Sequence, residues 1–456
     1  MNSAERKAVL SLAGITSIRM FGLFLLLPVL AVHASGFDRS TPLLVGMAMG
    51  AYGLTQAMLQ IPFGLMSDRF GRKRIIGIGL GIFFAGSIVA ALADSIEWLI
   101  IGRALQGGGA VSAAVLALTA DLTREEQRTK AMALIGIGIG FVFLLSLTLA
   151  PPLSVLIGID GMFWLTALLA LVAIAILYFL VPTPQRTLLH RDVAPVGGQI
   201  GEVLRNGQLL RLDFGIFFLH TLMTGLFVVL PAEISRLGAL ELAQHWRVYL
   251  PVVVLSVAGM VPLILIASRQ GMTTRMFQLA TVVLTTALAV LALTSGIFNS
   301  FTGMLAALWL YFVGFNALEA MLPSLVSRVA PAASKGTAIG VYNTMQFLGI
   351  FAGGLTGGLL AGTHGATAVF TVGTVIGILW VEITLFAPKF ELLSSLVLNI
   401  DAQSEMQRQA LVDRISQVRG VQEVTILQGE PLAYLKVNDK DLDTDALYQL
   451  KDLRRS

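Results

Sequence analysis

Long apolar runs, each of about 20 residues and separated by short polar loops, recur along this chain and leave it few ways to fold. About 20 mostly apolar residues in helical form are enough to cross a ~30 Å hydrocarbon layer. Twelve such runs are read near Val9–Val32, Leu43–Leu65, Ile75–Ala93, Trp98–Ala120, Ala131–Leu156, Met162–Val181, Phe214–Ile234, Val248–Ala267, Met276–Leu293, Phe301–Val326, Thr337–Leu360 and Ala368–Ala387. Only 13% of the residues are charged, against about 25% in an ordinary globular domain. Lipid is therefore expected as the solvent for much of the surface. The expected fold class is an all-α polytopic membrane protein, twelve transmembrane helices in two six-helix bundles, followed by a small cytosolic α+β domain.

Loop charge predicts the orientation, because Lys and Arg are retained on the cytoplasmic side. With the N-terminus inside, cytoplasmic segments hold Arg6 and Lys7, then Arg69, Arg72, Lys73 and Arg74, then Arg124, Arg128 and Lys130. They continue with Arg186, Arg191, Arg205 and Arg211, then Arg269 and Arg275, then Arg328 and Lys335. The opposite side holds only Arg39, Arg236 and Arg247. An even number of spans returns the C-terminus to the cytoplasm. Met20–Val32 before His33-Ala34-Ser35 also has the shape of a cleavable signal peptide, but its removal would leave an odd, mis-oriented set of spans.

The span pattern repeats after roughly 200 residues, the plan of secondary transporters built from parallel repeats. The expected organisation is a six-helix bundle over 1–181, a cytoplasmic linker over 182–212, a second bundle over 213–388 and a cytosolic domain over 389–456. In the last of these, Leu396, Leu398 and Ile400 alternate as in a strand, and Leu411, Ile415 and Val418 follow helical spacing. Val424 and Ile426, then Ala433, Leu435 and Val437, alternate on either side of a Gly429–Pro431 turn. Asp443 is placed to cap a helix carrying Leu447 and Leu450. The order strand–helix–strand–strand–helix predicts a ferredoxin-like domain with a missing or very short final strand.

The most specific motif joins the second and third spans: Gly64-Leu65-Met66-Ser67-Asp68-Arg69-Phe70-Gly71-Arg72-Lys73-Arg74. Gly64 permits close helix contact, Gly71 permits a tight turn, and Asp68 is free to face a helix N-terminus or a basic partner. Inside the fourth span lies Arg103-Ala104-Leu105-Gln106-Gly107-Gly108-Gly109. An arginine this deep normally faces a cavity or an acidic partner; the alternative is snorkelling to the outer surface. These two stretches resemble signatures of the major facilitator superfamily, G-x-L-x-D-R-x-G-R-K/R and R-x-x-Q-G-x-G. The resemblance implies that Gly64, Asp68, Arg69, Gly71, Arg72 and Asp121 form a conformational lock. In it Asp68 would meet the start of the eleventh helix near Lys335–Thr337, and Arg72 would pair with Asp121. It also implies a role for Arg103 in proton coupling. The second half keeps only Ala267-Ser268-Arg269-Gln270-Gly271 at the equivalent loop, so the motif there has decayed. An antiporter motif, G-P-x-x-G-G at its core, is matched loosely by Ala150-Pro151-Pro152-Leu153-Ser154.

Ionisable residues within spans complete the pattern. Arg19 lies in the first span and Glu319 in the tenth, beside Asn316. A carboxyl group in low dielectric is able to gain and lose a proton near neutrality. Glu319 is thus the candidate titrating group, with Arg19 or Arg103 as counter-charge; the alternative is a static buried ion pair. Gln106, His220, Tyr342 and Gln346 join Arg19, Arg103, Asn316 and Glu319 as candidates for the coupling site and substrate cavity, although a lone intramembrane His also serves in packing. Tyr52, Gln56, Gln60 and Asn343 suit either a cavity wall or interhelical hydrogen bonds.

Over its length the chain is similar to YajR-type drug:proton antiporters of bacterial inner membranes. That resemblance implies efflux of small molecules by alternating access, driven by the proton gradient, with the lipid bilayer, protons and a small-molecule substrate as partners. Self-association or ligand binding is open to the C-terminal domain, whose Val418–Val424 segment resembles heavy-metal-associated folds. Those folds hold metal through a cysteine pair, and this chain has no cysteine. No catalytic constellation, nucleotide motif, nucleic-acid signal or cofactor site is read. Proton-coupled symport and a membrane sensor signalling through the C-terminal domain are the alternatives.

Overall fold

The computed structural model describes residues 1–183, 199–269, 272–331, 334–390, 392–400, 405–426, 432–438, 441–449 and 453–454. The first half contains α1 (Ser3–Phe24), α2 (Leu30–Ala34), α3 (Pro42–Phe70), α4 (Arg72–Ala91), α5 (Ile96–Gly108), α6 (Ser112–Asp121) and α7 (Glu125–Phe179). The second contains α8 (Ile200–Val203), α9 (Gly207–Gly238), α10 (Trp246–Ala267), α11 (Thr273–Gly296), α12 (Phe301–Val329) and α13 (Lys335–Phe386). A small unit follows: β1 (Ser394–Ile400), α14 (Glu405–Ser416), β2 (Val421–Ile426), β3 (Leu432–Val437), α15 (Thr444–Tyr448) and β4 (Leu453–Arg454). Residues 184–198 of the linker, Gln270, Gly271, Leu450 and the Gly429–Pro431 turn lie outside the described residues.

Ten apolar stretches among the described residues are long enough to span a bilayer, one of them formed by α5 and α6 together. Two of the ten hold two crossings each. A straight helix as long as α7, with 55 residues, would reach about 80 Å, far beyond a ~30 Å core. Gly158 turns it back with φ 70° and ψ 172°, and Gly365 does the same in α13 with φ 74° and ψ −170°. Only glycine takes this region without strain. The two turns occupy equivalent places in the two halves, so ten stretches supply the twelve expected crossings. Phe179 and Phe386 are 85% and 88% exposed, with Leu156, Leu168 and Leu265 also outward. A surface so apolar is matched to lipid rather than water.

The halves meet most closely where α3 crosses α13. A Cβ on Gly46 would lie 2.1 Å from the Gly354 carbonyl oxygen, and one on Gly354 would lie 2.4 Å from that of Gly46. A Cβ on Gly358 would come within 2.4 Å of the Pro42 oxygen. Small residues let the backbones touch, which is how helices associate in lipid without a hydrophobic driving force. A second contact stacks Phe143 of α7 against Phe315 of α12, with centroids 6.3 Å apart. The glycine contacts crowd the Pro42 end of α3, the end far from Asp68.

The small unit forms one sheet of order β2-β3-β1-β4, with all pairs antiparallel. That is the ferredoxin-like order, and its last strand is only two residues long. Leu398, Ile400, Leu411, Ile415, Leu435 and Val437 build its core. Alternation predicts one wet face for β3, yet both faces are covered. Lys436, on the outer face, donates from Nζ to the Arg328 carbonyl oxygen at the end of α12, 3.0 Å away. Burial, then the nearby Lys335 charge, pushes this lysine down to about 8.

Two outcomes follow from this packing. Gly354→Val should force α3 from α13 and cost about 1–3 kcal/mol. Because the chain lacks cysteine, thiol labelling of a lone Met49→Cys, buried at this contact in the parent, should rise in that variant. For Lys436, docking carries the full cost of a buried charge below its docked value of about 8. The cost disappears above the free-lysine value of about 10.4. Docking should therefore tighten as pH rises between these limits, read as slower hydrogen exchange in β3.

Candidate functional site

The polar groups of the first half converge on two arginines. Arg19 projects from α1 and is buried. Its Nη1 donates to Ser112 Oγ at 2.7 Å, and its Nη2 donates to Tyr52 Oη at 2.9 Å and to Gln56 Oε1. Gln56 in turn donates to Gln60 Oε1 at 2.9 Å. Tyr52, Gln56 and Gln60 lie at i, i+4 and i+8 on α3, one face of the helix. Ser112 reaches Arg19 from the first turn of α6, just after the chain breaks its helix between Gly108 and Ser112. Arg103 on α5 donates from Nη1 to Gln106 Oε1 at 2.8 Å and lies 5.1 Å from the Tyr52 ring centre. Gln106 passes the network on to Ser87 Oγ at 2.9 Å. Gly107 and Gly109 are packing residues: a Cβ on Gly107 would strike the Tyr52 carbonyl oxygen at 2.1 Å, and one on Gly109 that of Gly79 at 2.6 Å.

At the other end of α3, Gly71 takes φ 94° and ψ 131° and reverses the chain into α4. The turn aims Arg72 back into the protein, where Nε donates to Asp121 Oδ2 at 2.8 Å. Its Nη1 donates to Asp68 Oδ1 and, at 3.1 Å, to Ser67 Oγ. Ser67 Oγ donates to the Gly64 carbonyl oxygen at 2.7 Å. Arg69 points elsewhere, its guanidinium 5.3 Å from the Phe70 ring centre. Arg72 thus ties the end of α3 to the end of α6, the expected partner Asp121 included.

The second half gathers a carboxyl, an imidazole and an amide. Gln346 Nε2 of α13 lies 2.9 Å from His220 Nε2 of α9 and 3.4 Å from Glu319 Oε1 of α12. His220 Nδ1 lies 3.3 Å from the Ile216 carbonyl oxygen. A proton on Nδ1 satisfies that carbonyl and leaves Nε2 to accept from Gln346, the neutral tautomer. Glu319 Oε2 is 3.9 Å from His220 Nε2. The Glu319 side chain is 38% exposed, while its Oε2 is buried with no hydrogen-bond partner among the described residues. Asn316, one turn before Glu319, donates to Ser256 Oγ of α10 at 2.9 Å. Tyr342, one turn before Gln346, is buried and its hydroxyl has no hydrogen-bond partner among the described residues.

The expected counter-charges are arranged otherwise. Among the described residues, Arg19 and Arg103 make hydrogen bonds to neutral groups and no ion pair, and the basic neighbour of Glu319 is His220. Arg19 and Arg103 belong to the first half, and the titratable pair Glu319 and His220 to the second. Asp213, one residue before the seventh apolar run, also lies buried in α9. Hydropathy hides it, because a window that seeks apolar residues begins at Phe214, whereas Asn206 caps the helix from Gly207.

Three comparisons bear on this arrangement. Residues 12–354 match the model of the Major Facilitator Superfamily. The chain is 40% identical over 440 residues to the "Inner membrane transport protein YajR" of Escherichia coli strain K12, covering 96% of each. It is 33% identical over 355 residues to an uncharacterised transporter of Buchnera aphidicola subsp. Acyrthosiphon pisum, covering 77% of this chain and 90% of that one. Among solved structures, a bacterial homologue of the human lysosomal transporter Spinster superposes with a TM-score of 0.69 at 14% identity, over 84% of this chain and 97% of that one. The signature loop, the duplicated bundle and these matches lead to one assignment: the chain belongs to the Major Facilitator Superfamily and is a membrane transporter rather than an enzyme.

Proposed function

We propose that the chain exports small molecules in exchange for protons by alternating access, in a bacterial inner membrane with both termini in the cytoplasm. The observation that carries this is the Glu319–His220–Gln346 cluster, two titratable groups sharing one amide within the bundle. An ionisable group at that depth is costly unless a proton or a partner compensates it. A proton arriving on His220 Nε2 would displace the Gln346 amide and turn the ring towards Glu319 Oε2 as a donor. A proton arriving on Glu319 would remove the negative charge directly. Either event changes the cavity charge by one, which is the handle a charged or polar substrate needs for competition. The buried Arg19 and Arg103, held by neutral partners, keep the facing half positive throughout the cycle.

With the basic loops in the cytoplasm, the Pro42 end of α3 faces outward. The glycine contacts of α3 and α13 then close the outer side, and substrate enters from the cytoplasm. Asp68, Arg72 and Asp121, set by Gly64 and Gly71 and flanked by Arg69, act as a lock at the cytoplasmic end, making and releasing contacts as the halves rock. The C-terminal domain, docked through Lys436 beside the start of α13, is placed to bias that rocking through ligand binding or self-association.

Substrates identified by thermal-shift screening of the purified protein should move against their gradient in proteoliposomes when a pH step is imposed. Glu319→Gln should abolish that drive while leaving the fold intact; full coupling in the variant would remove the carboxyl from the mechanism. Arg72→Ala leaves the Asp121 and Asp68 carboxylates without their shared partner and should cost about 3–5 kcal/mol, measured by thermal unfolding in detergent. Arg72→Lys keeps the charge, loses the fork, and should fall between the two.

A further inference from the structure

Asp213 is 1% exposed, and neither carboxylate oxygen has a hydrogen-bond or ion-pair partner among the described residues. A lone charge in such a place is expensive, and a proton is the partner that removes the expense. The position is also specific. Asp213 and His220 are seven residues apart on α9, two turns and roughly 10 Å along one helix face. Gly215 packs against Leu322, with a built Cβ 3.3 Å from Leu322 Cδ2, and Leu322 follows Glu319 by three residues on α12. Asp213 therefore sits roughly 7 Å closer than Glu319 to the start of α9. Tyr342 lies within electrostatic reach of both Glu319 and Asp213, and its hydroxyl, buried without a hydrogen-bond partner, is able to donate and accept.

The surrounding charges do not neutralise Asp213. On its own helix, Arg211 turns away, donating from Nη1 to the Pro388 carbonyl oxygen at 2.7 Å and stacking on Phe390. His220 is occupied by Gln346 and the Ile216 carbonyl. On α12 and α13, which pack against α9, the other titratable groups toward this end are Glu319 and Arg328 on α12 and Lys335, Tyr342 and Glu382 on α13. Glu382 lies two residues beyond Trp380, which packs on Gly215.

We propose that Asp213 is a second proton-carrying carboxyl group, through which Glu319 exchanges protons with the compartment at the start of α9. The Tyr342 hydroxyl is the relay. In this conformation the hydroxyl bonds to neither carboxyl; when helix movement brings both within reach, the tyrosine's own hydrogen passes to the Asp213 carboxylate as Glu319 gives its proton to the Tyr342 oxygen, one O–H bond breaking for each that forms. Asp213 then releases the proton past the first turns of α9. This rests on the coupling role given to Glu319 above and adds a defined route on one side of it.

The test needs no substrate. Infrared difference spectra of the full-length protein in lipid vesicles, titrated from acid to alkaline pH, report protonated carboxyl groups by their carbonyl stretch. Asp213→Asn should remove one band and leave that of Glu319; Asp213→Glu should restore a band at a shifted frequency. An Asp213→Asn spectrum identical to the parent's overturns the proposal. A Glu319→Gln spectrum that loses nothing sinks the coupling role of Glu319 alone, with the Asp213 band still supporting a proton carrier here. After a pH jump, Tyr342→Phe should slow the Glu319 band by about tenfold or more while both titration midpoints stay in place. An unchanged rate overturns the relay, and this measurement decides the matter if Asp213→Asn fails to fold.

Discussion

Hydrocarbon offers no hydrogen bonds, so each peptide group that crosses it must find its partner within its own segment. Helices are the response of this chain, and the same constraint governs its side chains. Arg19, Arg72 and Arg103 are all buried, and each guanidinium finds its acceptors inside one half of the protein. Helices cannot be drawn together by expelling lipid from apolar faces, so the contact between halves relies on backbone approach at Gly46, Gly354 and Gly358. Contacts of this kind bury little side-chain surface, a property that suits the proposed rocking of the two halves.

Charge is divided between the halves with some economy. The first half holds permanent cations, dispersed over Ser112, Tyr52, Gln56 and Gln106. The second holds groups whose charge depends on a proton: Glu319, His220 and Asp213. In the proposed cycle, a fixed positive wall facing a titratable one would make the field across the path depend on protonation of one side alone. The sharing of Gln346 Nε2 between His220 and Glu319 means that neither group changes state without disturbing the other.

The C-terminal unit touches the membrane region at the end of α12. Lys436 is a polar residue on the outer face of β3, where a solvated sheet would leave it free. Its contact with the Arg328 carbonyl instead meets the negative end of a long helix. The start of α13, which joins the halves through α3, lies close by.

Much of the architecture was legible in the sequence, for a physical reason. Span length, positive loops and the duplicated pattern answer to the bilayer, a solvent that acts on each segment separately, and the alternation in the last sixty-odd residues answers to a small core in the same local way. The pairing of Arg72 with Asp121 came from the family resemblance, and the two lie 2.8 Å apart. Pairings between segments were not legible. Hydropathy could not say that Arg19 would be satisfied by neutral groups of α3 and α6, that His220 rather than an arginine would neighbour Glu319, or that Asp213 lies inside a helix rather than ahead of it. Those outcomes depend on which faces of distant helices meet, and on caps such as Asn206 that move a boundary by two turns. Sequence alone sets what each segment must do in lipid; only the packed structure decides which buried charge looks at which.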